Sequence, residues 1–339
     1  MRAFDPSEFL SHSVLARLTD IRVDDPDRPL RSAAYRERRA KLAPDGRLNV
    51  LAADHPARRV LRAGDDPLAM AGRHDYLARA VRVLMSDSVD GVMASMDLLE
   101  ELLVLHDLLR EAGGPRFLDG KLLVASLNRG GLAGSSWELD DPLTGPTPAV
   151  CAARGLDGVK LLLRICDDKP ASLKTMLAVA QAMREANALG LPVFLEALPV
   201  VRSDAGYEVV RSADALAGIA GVAAALGDSS RNLWLKLPYC DDFRTVAGSA
   251  TLPILLLGGE ATGDPASLLR EVACGLAAGP NVRGAMIGRN VLYPGDEDPL
   301  AVAEAVGGLV HQGWTVEQAE AALSEARGRD LDAIRRWLG

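Results

Sequence analysis

Lys236 lies at the centre of LWLKLPY, flanked by leucines, in a chain with only six lysines (41, 121, 160, 169, 174 and 236). An amine embedded in an apolar run is poorly solvated. Desolvation disfavours the ammonium form and supplies the neutral amine that attacks a carbonyl to form an imine. A structural lysine bridging buried carboxylates would leave the same trace. Two further charges interrupt apolar runs, Lys160 in DGVKLLLRI and Glu196 in VFLEALPV. They suit a buried ion pair or a proton relay beside Lys236, and the two readings are compatible. Asp54 closes the run LNVLAAD, where a carboxylate at a strand end suits catalysis or substrate binding. His55 beside it is a turn histidine, more often incidental. Asn128 and Arg129 follow another such run and are candidate substrate contacts.

Two glycine-bearing run ends suit an anion. Gly258-Gly259-Glu260 and Gly288-Arg289-Asn290 combine free backbone N–H groups with a following helix start, and Arg289 offers a bidentate clamp for phosphate. Glycine pairs also end strands for packing reasons; it is the two positions together that carry the reading.

The elements that must position these residues alternate eight times. Strand-length apolar runs at 48–54, 90–96, 121–128, 157–165, 192–200, 232–239, 253–259 and 284–290 are separated by amphipathic stretches of helical length. Near-continuous apolar strands are those of a parallel sheet covered by helices. The helix over 171–188 has Gly190 and Pro192 as its stop signal. An eightfold strand-then-helix count predicts an α/β fold of the closed (β/α)8 TIM-barrel kind, and no GxGxxG follows the first run, which weakens an open dinucleotide-binding sheet. In a barrel, strand C-termini carry the chemistry. Asp54, Asn128, Arg129 and both glycine-bearing run ends then share one face, while Lys121, at a strand start, belongs to the opposite, stabilising face. The Gly/Pro-rich stretch 129–149 is a candidate lid or a plain surface loop.

The barrel is expected over 46–310. Residues 1–45 read as an N-terminal extension with a helix around 7–19 and a polar, arginine-rich connection. Residues 311–339 read as a C-terminal helix, opened by the capping box of Thr315 and Gln318 and running to about Leu338.

Composition narrows the partners. The chain is 48% hydrophobic and 25% charged, with a net charge of −8, which argues against nucleic acid or an anionic membrane surface as partner. Four cysteines without metal-ligand or C-x-x-C spacing are read as reduced thiols of a cytoplasmic protein. No secretory signal, no run of about 20 apolar residues and no metal cluster is found, and no cofactor is expected.

The motifs DGVKLLL, PVFLEAL, LKLPY, LLLGGE and IGRN, over roughly residues 48–295, resemble the class I aldolases grouped with deoxyribose-phosphate, tagatose-1,6-bisphosphate and archaeal-type fructose-bisphosphate aldolases. The DHP after the first strand is similar to sulfosugar-phosphate aldolases and to an aldolase-like family of inositol catabolism clusters. The resemblance implies a Schiff base on Lys236 and cleavage of a phosphorylated keto-sugar or keto-sugar acid to dihydroxyacetone phosphate and an aldehyde. Glu196, directly or through Lys160 or Asp54, takes the hydroxyl proton. It also implies a small-molecule sugar phosphate as the sole partner besides other copies of the chain, since such barrels are often homo-oligomers. One departure is clear: Leu198 stands where archaeal fructose-bisphosphate aldolases carry a catalytic tyrosine, which turns the reading away from fructose bisphosphate. The alternatives are a transaldolase-like enzyme, a metal-dependent barrel aldolase, and a catalytically silent sugar-phosphate-binding barrel with a regulatory role.

Overall fold

The computed structural model describes residues 4–204, 206–261 and 263–339. The apolar runs become strands β1 (Leu48–Ala53), β2 (Gly91–Ala94), β3 (Leu122–Ser126), β4 (Gly158–Ile165), β5 (Val193–Ser203), β7 (Leu233–Pro238), β8 (Ile254–Leu257) and β9 (Val282–Ile287), with a short β6 (Gly206–Val209) between β5 and β7. All pairings except β5–β6 are parallel, and the ring closes through β1–β9 and β4–β5, giving the eight-stranded (β/α)8 TIM barrel.

Helices enclose it: α1 (Pro6–Phe9), α2 (Ser13–Asp24) and α3 (Arg28–Tyr35) precede β1, α4 (Arg73–Leu84) and α5 (Met96–Ala112) follow β1 and β2, and α6 (Pro148–Ala153) and α7 (Ala171–Ala188) follow β3 and β4. Then come α8 (Ala213–Ala224), α9 (Phe243–Gly248), α10 (Pro265–Ala278), α11 (Arg289–Leu292), α12 (Pro299–Gly307), α13 (Val316–Ala326) and α14 (Arg335–Leu338). Among the described residues no helix is long and apolar enough to cross a membrane.

Alternation along the strands builds two cores. One set of side chains packs against the surrounding helices. The other fills the barrel with Leu48, Val50, Met93, Leu122, Val124, Phe194, Leu255 and Met286. This apolar plug is the floor on which the charged residues of the strands rest.

Three local differences from the sequence expectation have clear causes. β5 does not stop near residue 200 but runs to Ser203 and returns as β6, with Val200 opposite Val209 and Arg202 opposite Tyr207. The alternation continues past Pro199, and one face of the hairpin packs on Leu139, Leu162 and Leu198. The arginine-rich connection contains α3, and its arginines are fastened to the barrel floor: Arg36 reaches Asp157 at 2.9 Å and the carbonyl of Lys121 at 2.6 Å, and Arg39 reaches Asp90 at 2.9 Å. The C-terminal helix opens with both halves of its capping box but ends at Ala326 rather than running to Leu338. Gly328 and Asp330 adopt positive φ. The segment is bent by the buried Arg82–Asp298 pair: Asp298 accepts the N–H of Gly328 at 2.9 Å, and Arg82 donates to the carbonyl of Arg329 at 2.6 Å.

The stretch after β3 is a fastened wall. Gly145 donates to the carbonyl of Leu127 at 2.8 Å, Gly131 to the Asp141 carboxylate at 2.8 Å, and the Asp141 N–H to Thr175 of α7 at 2.9 Å. Glu138, buried beside it, accepts from Arg164 at the end of β4.

Candidate active site

The strand register brings the charges together. Lys236 on β7 stands opposite Glu196 on β5, so both side chains point the same way, and Glu196 is opposite Leu162 on β4. Lys160, two residues before Leu162, faces the same side, as does Ser126, which pairs with it across β3–β4. All four point into the barrel above the apolar plug. Lys236, Glu196 and Lys160 open on a cavity of about 670 Å³ at the C-terminal ends of the strands.

Within it the charges form a continuous chain. Glu196 Oε2 accepts from Lys236 Nζ at 3.0 Å and from Lys160 Nζ at 2.7 Å. Lys160 lies 3.4 Å from Asp54 Oδ2, which also accepts from the Ser126 hydroxyl at 2.7 Å and pairs with Arg129 Nη1 at 3.2 Å. Arg129 Nη2 donates to the Asp54 carbonyl at 2.6 Å. Burial opposes charge throughout, but it is outweighed at both carboxylates. Lys160 and Lys236 hold Glu196 well below the ordinary carboxylate range, and Arg129, Lys160 and Lys236 do the same for Asp54. At Lys160 burial wins, and its pKa is lowered despite Asp54 and Glu196. Lys236 is therefore one end of a two-lysine, one-carboxylate bridge.

The cavity's other end is glycine-lined, with Gly258, Gly259, Gly288 and Arg289 all in its wall. A Cβ on Gly288 would stand 2.3 Å from both the Ala52 carbonyl oxygen and His55 Cε1, and one on Gly258 would stand 2.7 Å from Asn290 Oδ1. Only bare backbone fits there. Arg289, half-buried, has its Nε enclosed without a partner among the described residues. Burial lowers its pKa against the pull of Glu260 and Glu196. Arg211 reaches over Gly259, 3.1 Å from where a Cβ would lie. Two guanidiniums beside glycine backbone are groups that could hold an anion.

Asn128 does not join the site, which corrects the expectation of a substrate contact. β3 ends at Ser126, so alternation no longer governs Asn128, and its amide is spent on the backbone of Leu162, donating at 2.6 Å and accepting at 2.8 Å. Several cavity residues were not singled out from the sequence. Arg58 lines the cavity and donates through Nε to the Gly131 carbonyl at 2.9 Å; burial, with Arg164 and Arg129 nearby, pushes its pKa down to about 9. Tyr207, Glu208 and Arg211 arrive on or beside β6. His55, set aside as incidental, is also in the wall. Arg58 and His55 share the Asp-His-Pro-Ala-Arg turn, whose proline signalled a rigid conformation without showing where the side chains aim.

A (β/α)8 barrel with a lysine–carboxylate chain at the C-terminal ends of its strands is aldolase-like in architecture, and comparison with known proteins agrees. The Cgl0159-like family model matches residues 46–307, and the chain belongs to that family. The crystal structure of Cgl0159 from Corynebacterium glutamicum is 35% identical with a TM-score of 0.83, covering 90% of this chain and 99% of that one. An uncharacterized aldolase of Saccharolobus solfataricus is 29% identical over 147 residues, 42% of this chain and 50% of the relative, so the match spans half that protein's length. An archaeal fructose-1,6-bisphosphate aldolase, solved with its catalytic lysine bound to the carbinolamine intermediate of its substrate, is 21% identical with a TM-score of 0.54, covering 83% of this chain and 99% of that one. At that distance it shares the fold.

Proposed function

We propose that this protein is a class I aldolase that cleaves a phosphorylated keto-sugar or keto-sugar acid through a Schiff base on Lys236, releasing dihydroxyacetone phosphate and an aldehyde. The observation that carries the reading is the bridge Lys236–Glu196–Lys160, buried at the floor of a cavity whose opposite wall sets two guanidiniums beside glycine backbone. A merely structural ion pair needs no cavity above it. The aldolase names among the relatives support the same chemistry.

In this mechanism the phosphate sits against Gly258, Gly259, Gly288 and Arg289, and the ketone carbon lies over Lys236. Lys236 passes a proton to Glu196 and attacks the carbonyl. Glu196 returns the proton to the leaving hydroxyl of the carbinolamine, water departs, and the protonated imine becomes the electron sink for carbon–carbon cleavage. Lys160 keeps Glu196 ionised and in place, and Asp54, through Ser126 and Arg129, anchors the far side of Lys160. Arg58, on the β3–β4 side of the cavity away from Arg289, faces the aldehyde half and suits a substrate with a second anionic group.

The test is borohydride reduction in the presence of dihydroxyacetone phosphate, read by intact mass and peptide mapping. The expected result is one reduced adduct on Lys236. A folded protein that binds the triose phosphate and gives no adduct at Lys236 overturns the reading. Product analysis with candidate keto-sugar phosphates separates an aldolase from a transaldolase-like enzyme, which transfers the triose unit to an added aldehyde.

A further inference from the structure

Carbon–carbon cleavage needs one proton transfer that the Lys236–Glu196–Lys160 bridge does not readily supply. The hydroxyl on the carbon beyond the scissile bond must lose its proton as that bond breaks. Both buried carboxylates are poor candidates. Glu196 already accepts from two ammoniums, at 2.7 and 3.0 Å, and Asp54 Oδ2 accepts from Ser126 and faces Arg129 and Lys160 within 3.4 Å. Glu196 is committed to the proton exchange with Lys236, and Asp54 to Ser126, Arg129 and Lys160, so each already has a task.

His55 is differently placed. It lies in the cavity wall immediately after Asp54, in a turn made rigid by Pro56, with its carbonyl accepting from the N–H groups of Arg58 at 3.0 Å and Val60 at 3.3 Å. The ring occupies the space that a side chain at position 288 would fill, 2.3 Å from a Cβ built there, so Gly288 is what admits it. Its Nδ1 is enclosed and has no partner among the described residues. A buried, orphaned ring nitrogen calls for an explanation, and with no partner on Nδ1 to set the tautomer, Nε2 is free to act as acceptor or donor. The charges acting on it are Asp54, Arg289, Lys236 and Arg129. Burial, reinforced by Arg289 and Lys236 and opposed by Asp54, pushes its pKa down to about 3, so the ring is neutral at physiological pH.

We propose that His55 is the acid/base residue of the carbon–carbon step. Its imidazole takes the hydroxyl proton as the C–C bond breaks. The C–C electron pair moves into the iminium at Lys236 to give a neutral enamine, and the C–O bond becomes the aldehyde carbonyl. After the aldehyde leaves, the imidazolium returns the same proton to the enamine carbon, regenerating the iminium for hydrolysis. This assignment rests on the aldolase reading above and gives the hydroxyl proton to His55 rather than to Glu196.

The experiment separates imine formation from proton transfer. Wild-type protein and His55→Asn and His55→Ala variants are incubated with dihydroxyacetone phosphate. Borohydride trapping on Lys236 reports the imine, and exchange of the triose carbon-bound hydrogen with deuterated water reports the enamine step. The expected result is trapping at wild-type extent in both variants, with exchange slowed at least about hundredfold, the scale of a lost general base. In His55→Ala, added imidazole should restore exchange, with the rescue rising through imidazole's own titration. That response is not expected of a structural histidine. Exchange near the wild-type rate in His55→Asn overturns the proposal, as does trapping lost in the variants alone, which moves His55 to the imine step. Equal loss of exchange in Tyr207→Phe, with no imidazole rescue of His55→Ala, moves the role to the hairpin tyrosine. Failure of trapping in the wild type refutes the aldolase reading itself and so is distinguishable from all of these.

Discussion

The two ends of the barrel use the same residue types to opposite purpose. At the N-terminal end Asp157, Lys121 and Asp90 each meet several protein partners, although Arg36 Nε has none among the described residues. Asp157 accepts from Arg36 and Arg38 at 2.9 and 3.0 Å and from the Leu123 N–H at 2.9 Å, and Lys121 donates to the carbonyls of Ser86 and Val89 at 2.6 and 2.5 Å. Asp90 takes Arg39, the Asn49 N–H and His311. At the C-terminal end the charges are as buried, and Asp54, Arg129, Lys160, Glu196 and Lys236 all line one cavity. There Arg289 Nε and His55 Nδ1 have no partner, and the lysines share a single carboxylate oxygen. Close pairs tie the N-terminal segment to the barrel. Charges that line a common cavity leave capacity for a ligand, as a site that trades stability for function would.

The sharpest way to break this contrast is Lys236→Met. Turnover should fall by at least about a thousandfold, the usual consequence of losing a covalent nucleophile, and trapping should vanish. The urea midpoint should hold or rise, because Glu196 keeps Lys160 while one buried ammonium is removed. A large loss of stability would make the upper cluster structural, like the lower one. The converse variant is Arg36→Met, which withdraws the buried partner of Asp157. It should lower stability by about 3 kcal/mol in equilibrium denaturation while leaving borohydride trapping per folded molecule unchanged.

A smaller effect is expected at the proposed anion site. Arg289→Lys keeps the charge and loses the planar fork, so KM for the phosphorylated substrate should rise about tenfold with kcat little changed. An unchanged KM would remove Arg289 from the anion site. The smallest effect distinguishes the two ends by pH. His311, hydrogen-bonded to Asp90 and Asp45, has a raised pKa despite its burial. Its contribution is fully present below the unfolded value of about 6.5 and is lost as pH rises through the folded value. Glu196 and Asp54, with depressed values, act in the other direction: their contribution is present above the unfolded carboxylate values of about 4 and is lost as pH falls through the folded ones. Removing His311 as His311→Asn should flatten the stability decline above pH 6.5, a change of less than about 1 kcal/mol in denaturation midpoints. A decline that persists in the variant would show that other groups cause it.

Lys160, Glu196 and Lys236 were legible because each breaks an apolar strand, where a charge is too costly to be accidental. The barrel was legible for the same reason, since parallel strands covered on both sides must be apolar along their length. Asn128 misled because strand-end position does not say where a side chain points once the strand has stopped. Arg58, Arg211 and Tyr207 lie in a turn and a hairpin whose residues carry no periodic signal. The straight C-terminal helix failed because Asp298 and Arg82, distant in sequence, bend that segment.

The sequence by itself therefore determined the eightfold alternation, the apolar plug and which strands carry charge, because these follow from the local balance of burial and hydration. Tertiary structure decided which charges meet. That Glu196 lies between two lysines depends on the register of β4, β5 and β7, and that His55 faces the cavity depends on Gly288 leaving room for its ring. Such pairings are set by barrel closure, which brings together residues remote along the chain, and no local pattern encodes them.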